Sequence, residues 1–300
     1  MLIKKQDELK ELLILKALDA RWQLDEKTRN RLFRLESGLE GEADFLAALE
    51  KSEWNALFFA DLKLKIHFSS VQIDAMAISR KTIHLFEVKN FTGEYYYSNG
   101  HLFMKNEVEV KNPLHQVQNI EIAVRQQLKS WGFDYQIIPW VVFVNPEFVL
   151  TQSIRTDPII FPNQIEKKLK ELGVHSFVSR EDRELAQRFM ALHDSKLSFI
   201  EIPPYSKAAL KKGLTCRSCN QIGMTVKDKT CFCPWCGMRE SMYCTLLEAS
   251  RDFSLLHPGQ KLTVAAVSDF CGKKVSKQAI RTALMKEYQL VKNGRASYYV

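Results

Sequence analysis

The segment at residues 71–90, VQIDAMAISRKTIHLFEVKN, constrains the fold of this chain more than any other. Two β-rich runs, at residues 71–78 and 82–90, flank a short polar stretch and predict two adjacent strands of a hairpin. The second run contains Ile83, Leu85, Phe86 and Val88, an apolar pattern typical of a strand that is buried on both faces. We therefore expect this hairpin to lie in the interior of a domain.

Three charged residues interrupt these apolar strands: Asp74 on the first, and Glu87 and Lys89 on the second. Two carboxylates that project to one spot from neighbouring strands suit a hard divalent cation such as Mg²⁺. Lys89 lies two residues beyond Glu87, hence on the same face of the strand, where it could reach a phosphate or an attacking water. The trio thus fits metal-assisted hydrolysis of a phosphodiester. The alternative is that the three charges are the solvent-facing half of an alternating strand.

Composition and apolar run lengths bound the class of protein. A chain of 300 residues that is 46% hydrophobic has room for two or three domains. No apolar run approaches the ~20 residues that span a bilayer, and the longest run, at residues 137–144, contains Pro139. The first residues, MLIKKQDELKELL, are too charged for a secretory signal. We expect a soluble, cytoplasmic protein with no membrane partner.

Helical and strand patterns alternate along the first two thirds of the chain. Residues 4–20 and 25–36 show two amphipathic helical patterns whose Lys and Arg residues read as solvated surface, and a glycine-bearing turn at residues 37–42 is predicted to open another helix. Asn99-Gly100 predicts a β-hairpin, and Asn112-Pro113 predicts the start of a helix that ends near Gly132. Further strands are predicted at 57–66 and 137–144, and further helices at 163–172 and 180–192. This order predicts an α/β fold with a mixed sheet flanked by helices.

Four short motifs, taken together, carry a family resemblance. GLEGE at 38–42, QID at 72–74, EVKN at 87–90 with Gly93 after it, and NPLHQ at 112–116 resemble the nuclease-related domain (NERD) family over roughly residues 37–145. That family is similar to the PD-(D/E)xK nuclease superfamily, whose core is a mixed sheet flanked by helices. The superfamily signature opens with Pro-Asp, whereas Ile73 precedes Asp74 here.

The resemblance implies roles for five residues. Asp74 and Glu87 would be metal ligands, and Lys89 would orient or activate the water and stabilise developing charge. Glu42 would be an additional acid near the metal, placed by the glycine turn at a helix start. Gln116 would be a polar contact from the later helix, although it could equally cap backbone groups.

The cysteine spacing in the C-terminal third predicts a metal centre. Cys216 and Cys219 form one CxxC pair, Cys233 and Cys236 form another, and thirteen residues separate the pairs. This is the spacing of a Cys₄ zinc ribbon, a structural Zn²⁺ site with no open position for a water. Cys231 could take the place of Cys233. Reduced, metal-free thiols are the alternative for the whole cluster.

The positive charge of the chain also belongs to the C-terminal third. Residues 207–300 contain 16 Lys and Arg against 6 Asp and Glu, so this segment alone has more positive charge than the net +8 of the whole chain. Such a segment favours a polyanionic partner, of which nucleic acid is the commonest. A basic surface without a partner is the alternative.

Three short helical patterns followed by strands around Asn293-Gly294 resemble a winged helix. Basic and polar residues of the turn, the last helix and the wing would face DNA: Lys273, Lys274, Lys277, Gln278, Arg281, Lys292 and Arg295. Winged helices also serve protein contacts.

These predictions divide the chain into N-terminal helices at 1–36, a nuclease-like domain at 37–202, a zinc ribbon at 207–241 and a winged-helix-like domain at 242–300. Two functional hypotheses follow. The first is a Mg²⁺- or Mn²⁺-dependent nuclease that acts on nucleic acid, with DNA as the expected partner. The second is a nucleic-acid-binding or protein-docking adaptor whose nuclease-like domain does not cut.

Overall fold

The computed structural model describes residues 1–66, 69–151, 158–197, 200–294 and 297–300. The chain divides into two compact units: unit 1 contains Met1–Asp7 and Arg34–Phe199, and unit 2 contains Glu8–Phe33 and Ile200–Val300. The division falls inside one long helix, between Phe33 and Arg34.

Within the described ranges the α-helices are α1 (Lys10–Arg21), α2 (Glu26–Lys51), α3 (Pro113–Trp131), α4 (Ile165–Gly173), α5 (Arg180–Leu192), α6 (Met242–Leu256), α7 (Val264–Phe270) and α8 (Lys277–Glu287). The strands of unit 1 are β1 (Leu2–Lys4), β2 (Leu57–Ile66), β3 (Ser69–Ser79), β4 (Thr82–Lys89), β5 (Gly93–Ser98), β6 (His101–Met104), β7 (Glu109–Val110), β8 (Gln136–Phe143), β9 (Phe148–Leu150) and β10 (Ile159–Ile160). Those of unit 2 are β11 (Thr225–Lys227), β12 (Thr230–Phe232), β13 (Arg239–Ser241), β14 (Leu290–Val291) and β15 (Tyr298–Tyr299).

Unit 1 is built on a mixed six-stranded sheet in the order β1-β2-β3-β4-β8-β10. The β2, β3 and β4 strands pair antiparallel in sequence, and β8 then pairs parallel to β4 after the α3 crossover. One face of the sheet packs against α3 and α5, and the other packs against α2 and α4. Burial on both faces explains why β4 reads as a nearly continuous apolar run. The predicted α/β architecture is confirmed.

Several local predictions in unit 1 are also confirmed. Asn99 and Gly100 have positive φ angles of 50° and 81° and join β5 to β6, as expected of an Asn-Gly turn. Asn112 caps α3 by accepting the N–H of Leu114, with Pro113 in the first turn. Gly132 ends α3 in the left-handed conformation.

Two predictions near the N-terminus are wrong. The helix predicted to start at Lys4 begins at Lys10 instead, because Leu2–Lys4 form β1, which pairs with the open edge of β2 and places Leu2 and Ile3 against opposite cores. The turn predicted at residues 37–42 is absent from the described structure, since α2 continues through it. Glu42 therefore lies well inside the helix and not at its start.

Tertiary packing explains the glycine that suggested a turn. A Cβ atom added at Gly41 would lie 2.7 Å from the Cβ atom of Asn90 and 3.0 Å from the Cγ2 atom of Val144, whereas one added at Gly38 would meet nothing within 4 Å. Gly41 therefore lets α2 approach the ends of β4 and β8 closely, a contact that periodicity does not reveal.

Unit 2 contains a three-stranded sheet, β11-β12-β13, followed by α6, α7, α8 and the antiparallel β14–β15 pair. The α1 helix also belongs to this unit, and its Arg21 is fully buried. The Arg21 guanidinium lies 3.7 Å from the centre of the Phe270 ring and donates to the backbone oxygens of Lys211 and Gly213. These partners offset the cost of burying the charge.

Candidate functional site

The charged residues of β3 and β4 meet where these two strands stop pairing. Within the described residues, the last backbone pair of this ladder is Ala75 with Phe86, and one further step would place Asp74 opposite Glu87. There the Asp74 carboxylate accepts the backbone N–H of Val88 at 2.8 Å, so the side chain takes the place of the next ladder bond. The register therefore brings together the two carboxylates that the sequence predicted as neighbours.

Lys89 lies on the same side of β4 as Glu87, as the two-residue period predicts. Its Nζ atom donates to Glu87 Oε1 at 2.6 Å, and the side chain of Glu87 is 5% exposed. Burial lowers the pKa of Lys89, but the charges of Glu87, Asp74 and Glu42 outweigh this effect and raise it above the ordinary value. Lys89 is thus a cation surrounded by acids.

Asp74, Glu87 and Glu42 are here called the acidic cluster. Desolvation and repulsion from neighbouring carboxylates raise the pKa values of two of its members, Asp74 and Glu42. The desolvation of Asp74, together with the charges of Glu87 and Glu42, raises its pKa well above the usual range. Burial, together with the charge of Asp61, raises the pKa of Glu42 to about 7. More negative charge is gathered here than Lys89 neutralises, which is the condition that a bound cation relieves.

Asn90 fixes α2 beside the end of β4. Its side-chain amide donates to the backbone oxygen of Ser37 at 2.8 Å and accepts from the side chain of Asn145 at 2.9 Å. Gly41 leaves room for this contact, and the following residue is Glu42. The close packing of α2 on Asn90 therefore determines where the Glu42 carboxylate lies.

Gln116 is not joined to the cluster by hydrogen bonds. It lies in the first turns of α3, where its backbone N–H donates to the Asn112 oxygen. Across the part of the chain that the structure describes, the half-buried Gln116 side chain makes no hydrogen bond. Its expected role is therefore unsupported by a direct contact.

Sequence reasoning missed Asp61 and Gln6, which also reach this region. Asp61 is buried in β2 at the register position opposite Asp74, between the pairs Ala60 with Ala75 and Leu62 with Ile73. Its charge interrupts an apolar strand, which is the signal that identified Glu87 and could have identified Asp61. Gln6 donates to Glu42 Oε2 at 2.7 Å from 36 residues away, and no local pattern reports that contact.

The four cysteines predicted to bind zinc come together in unit 2. The ligand atoms of Cys216, Cys219, Cys233 and Cys236 all lie within 4.8 Å of one another, so they fit one tetrahedral Zn²⁺ ion. Each pair is followed by a left-handed residue, Asn220 at φ 56° and Gly237 at φ 73°, which closes a tight loop around the thiols. Among the described residues, this is the one group of three or more His, Cys, Asp or Glu side chains close enough to share an ion.

The cluster includes Cys233, so the CxxC register is the one that the structure adopts. Cys231 lies outside it, buried in β12 opposite Glu240 and Val226.

Six of the residues predicted to contact nucleic acid are exposed on one segment of unit 2. Lys273 and Lys274 lie in the turn after α7, Lys277, Gln278 and Arg281 lie on α8, and Lys292 follows β14. Arg295 lies outside the described residues.

None of the helices that the structure describes combines the length and the apolar character needed to cross a bilayer.

Comparison with known proteins gives one match. The family model described as the nuclease-related domain (NERD) matches residues 37–144, a stretch that includes Glu42, Asp74, Glu87, Lys89 and Gln116. No curated protein and no solved structure matches the chain. The matched region contains the central strands β2, β3, β4 and β8 of the mixed sheet together with the acidic cluster, and it is this region of the chain that is similar to the nuclease-related domain family.

Proposed function

We propose that this protein is a divalent-metal-dependent nuclease that hydrolyses phosphodiester bonds of nucleic acid, with DNA as its substrate. The observation that carries the proposal is the cluster of Asp74, Glu87 and Lys89 at the point where β3 and β4 separate. The carboxylates outnumber the lysine at this point, and carboxylate oxygens are the ligands that Mg²⁺ or Mn²⁺ prefers.

Asp74 and Glu87 would hold the cation. When bound, such a cation lowers the pKa of a coordinated water and offsets the charge of the scissile phosphate. Asp74 already uses one oxygen to accept the Val88 N–H at 2.8 Å, which fixes its orientation. Binding of the cation would remove the repulsion between the two carboxylates.

Lys89 is placed to stabilise charge on the phosphate or to orient the water. Its ion pair with Glu87 keeps the Lys89 ammonium next to the Glu87 carboxylate. Glu42, with a pKa raised to about 7, can hold or release a proton near neutral pH. We assign it the role of an additional acid beside the cation.

Unit 2 would supply affinity for the substrate. The Cys₄ centre would hold Zn²⁺ as a structural ion, and α6 to α8 with the β14–β15 pair would form a winged-helix-like surface for DNA. The exposed Lys277 and Arg281 on α8 would contact phosphates or bases. None of the seven cysteines, all of which lie in the described ranges, forms a disulfide, which favours a reducing compartment such as the cytoplasm.

The experiment is incubation of the purified protein with plasmid and single-stranded DNA in Mg²⁺, in Mn²⁺ and in EDTA. We expect cleavage that depends on the cation and falls about 100-fold or more in Asp74→Asn, Glu87→Gln and Lys89→Met. Asp44→Asn changes an exposed acid of α2 and serves as the control. Cleavage that survives the three site variants would contradict the assignment.

The second candidate function is a nucleic-acid-binding adaptor, which the exposed basic residues of unit 2 favour independently of the acidic cluster. It predicts salt-dependent binding of DNA with no cleavage in any divalent cation. The same incubation separates the two candidates when binding is measured beside cleavage.

A further inference from the structure

The N-terminal segment, Met1–Asp7, is bound along the edge of the sheet in unit 1. The Met1 amino group donates to the Ala56 oxygen at 2.6 Å, and β1 pairs parallel to β2. Further along, Lys4 is buried and its Nζ atom donates to the Ala60 oxygen at 3.0 Å. The segment therefore reaches the point of β2 that precedes Asp61.

Asp61 and Lys63 form a buried ion pair at this point, with Lys63 Nζ 2.7 Å from Asp61 Oδ2. Asp61 has a left-handed backbone with φ 50°, a conformation that a non-glycine residue adopts only when its surroundings impose it. Lys63 also lies 3.8 Å from Asp7, which in turn lies 3.3 Å from His193 Nε2. Charged side chains therefore hold the segment on both sides of Gln6, with the buried Lys4 before it and the half-buried Asp7 after it.

Gln6 joins this anchored segment to the acidic cluster. Its side-chain amide donates to Glu42 Oε2 at 2.7 Å, and this is the one hydrogen bond that the Glu42 carboxylate makes with the described residues. The charge of Asp61 repels the Glu42 carboxylate, whereas the hydrogen bond from the neutral Gln6 amide stabilises it and fixes the position of Oε2. A residue that hydrogen-bonds to an acid beside a bound cation fixes the orientation of that acid and so affects how tightly the cation binds.

We propose that Gln6 is a positioning residue of the candidate active site, through which the N-terminal segment orients Glu42. This inference rests on the proposed function. The amide holds one oxygen of Glu42, so that the carboxylate has a fixed orientation when the cation and its water enter. Loss of the donor lets Glu42 turn and weakens both cation binding and cleavage.

The test compares Gln6→Met, which keeps the side-chain length and removes the donor, with Lys5→Met, which changes the exposed preceding residue. Mn²⁺ binding is measured by electron paramagnetic resonance of the free ion, and cleavage is measured as a function of Mn²⁺ concentration. We expect Gln6→Met to lower cation affinity or activity about 10- to 100-fold. Lys5→Met should match the wild-type protein.

A double-mutant cycle with Glu42→Gln separates positioning from general destabilisation. If Gln6 acts through Glu42, Gln6→Met should have little further effect in the Glu42→Gln background. Equal effects in both backgrounds would overturn the inference. Gln6→Leu also removes the donor without adding a charge, so it provides the same comparison should Gln6→Met fold poorly.

The two levels of the proposal fail differently. A wild-type protein that neither binds Mn²⁺ nor cleaves DNA refutes the proposed function and this inference with it. A wild-type protein that does both, with Gln6→Met indistinguishable from it, refutes only the role of Gln6.

Discussion

Two glycines of α2 provide a matched pair of substitutions with opposite expected effects. A Cβ atom at Gly41 would lie 2.7 Å from Asn90 Cβ and 3.0 Å from Val144 Cγ2, while one at Gly38 has open space within 4 Å. Asn90 cannot move aside easily because its amide is bonded to both Ser37 and Asn145. Gly41→Ala should therefore push α2 away from β4, and Gly38→Ala should not.

The magnitudes follow from two terms. Alanine stabilises a helix interior by about 1 kcal/mol relative to glycine, and this gain applies at both positions. Overpacking costs about 1–3 kcal/mol, and we expect the upper half of that range at Gly41 because the obstructing atoms are held in place. Gly38→Ala should thus be more stable by about 1 kcal/mol, and Gly41→Ala less stable by about 1–2 kcal/mol.

Thermal unfolding is the assay. With about 2–4 °C per kcal/mol for a unit of this size, the midpoints of the two variants should differ by about 4–12 °C. Cleavage should fall in Gly41→Ala, since Glu42 moves with the helix, and stay unchanged in Gly38→Ala. If Gly41→Ala is as stable as Gly38→Ala, the close approach of α2 to Asn90 is refuted.

Three further predictions concern pH, zinc and salt. The buried His84 accepts the indole N–H of Trp140 at 3.1 Å, and burial lowers its pKa from the ordinary value of 6.5 to about 4. The unfolded chain therefore binds the proton first, so up to about 3 kcal/mol of stability should be lost as pH falls from about 6.5 to 4. That loss should shrink in His84→Phe when urea unfolding is followed across this range. Removing Zn²⁺ with a chelator, or making Cys219→Ser, should unfold the β11–β13 sheet while the α/β unit keeps its circular dichroism, and a ribbon that stays folded without metal would contradict the structural role. Lys277→Ala with Arg281→Ala should reduce the slope of log K for DNA binding against log salt by about 2, whereas an unchanged slope would exclude α8 from the interface.

The sequence was most informative where structure is set by neighbouring residues. The two-residue period of β4 correctly placed Glu87 and Lys89 on one side, and Asn112-Pro113 correctly marked the start of α3. The CxxC pairs also came together as their spacing required. In each case the interactions that determine the outcome lie within a few residues of the pattern.

Long-range contacts account for what the sequence did not reveal. Gly41 looked like a turn residue because the contact that requires a glycine there, with Asn90, comes from a distant part of the sequence. The first helix was predicted to start at Lys4 because the β1 strand that contains Lys4 exists only through pairing with β2. The bond from Gln6 to Glu42 likewise joins two segments that no local pattern connects.

The location of a bound cation tests the central proposal most directly. Crystals of the wild-type protein grown with Mn²⁺ can be measured for anomalous scattering. We expect a peak about 2.1 Å from oxygens of both Asp74 and Glu87, absent in Asp74→Asn. Cation-dependent cleavage by a protein whose Mn²⁺ contacts neither carboxylate would contradict the assignment of this site.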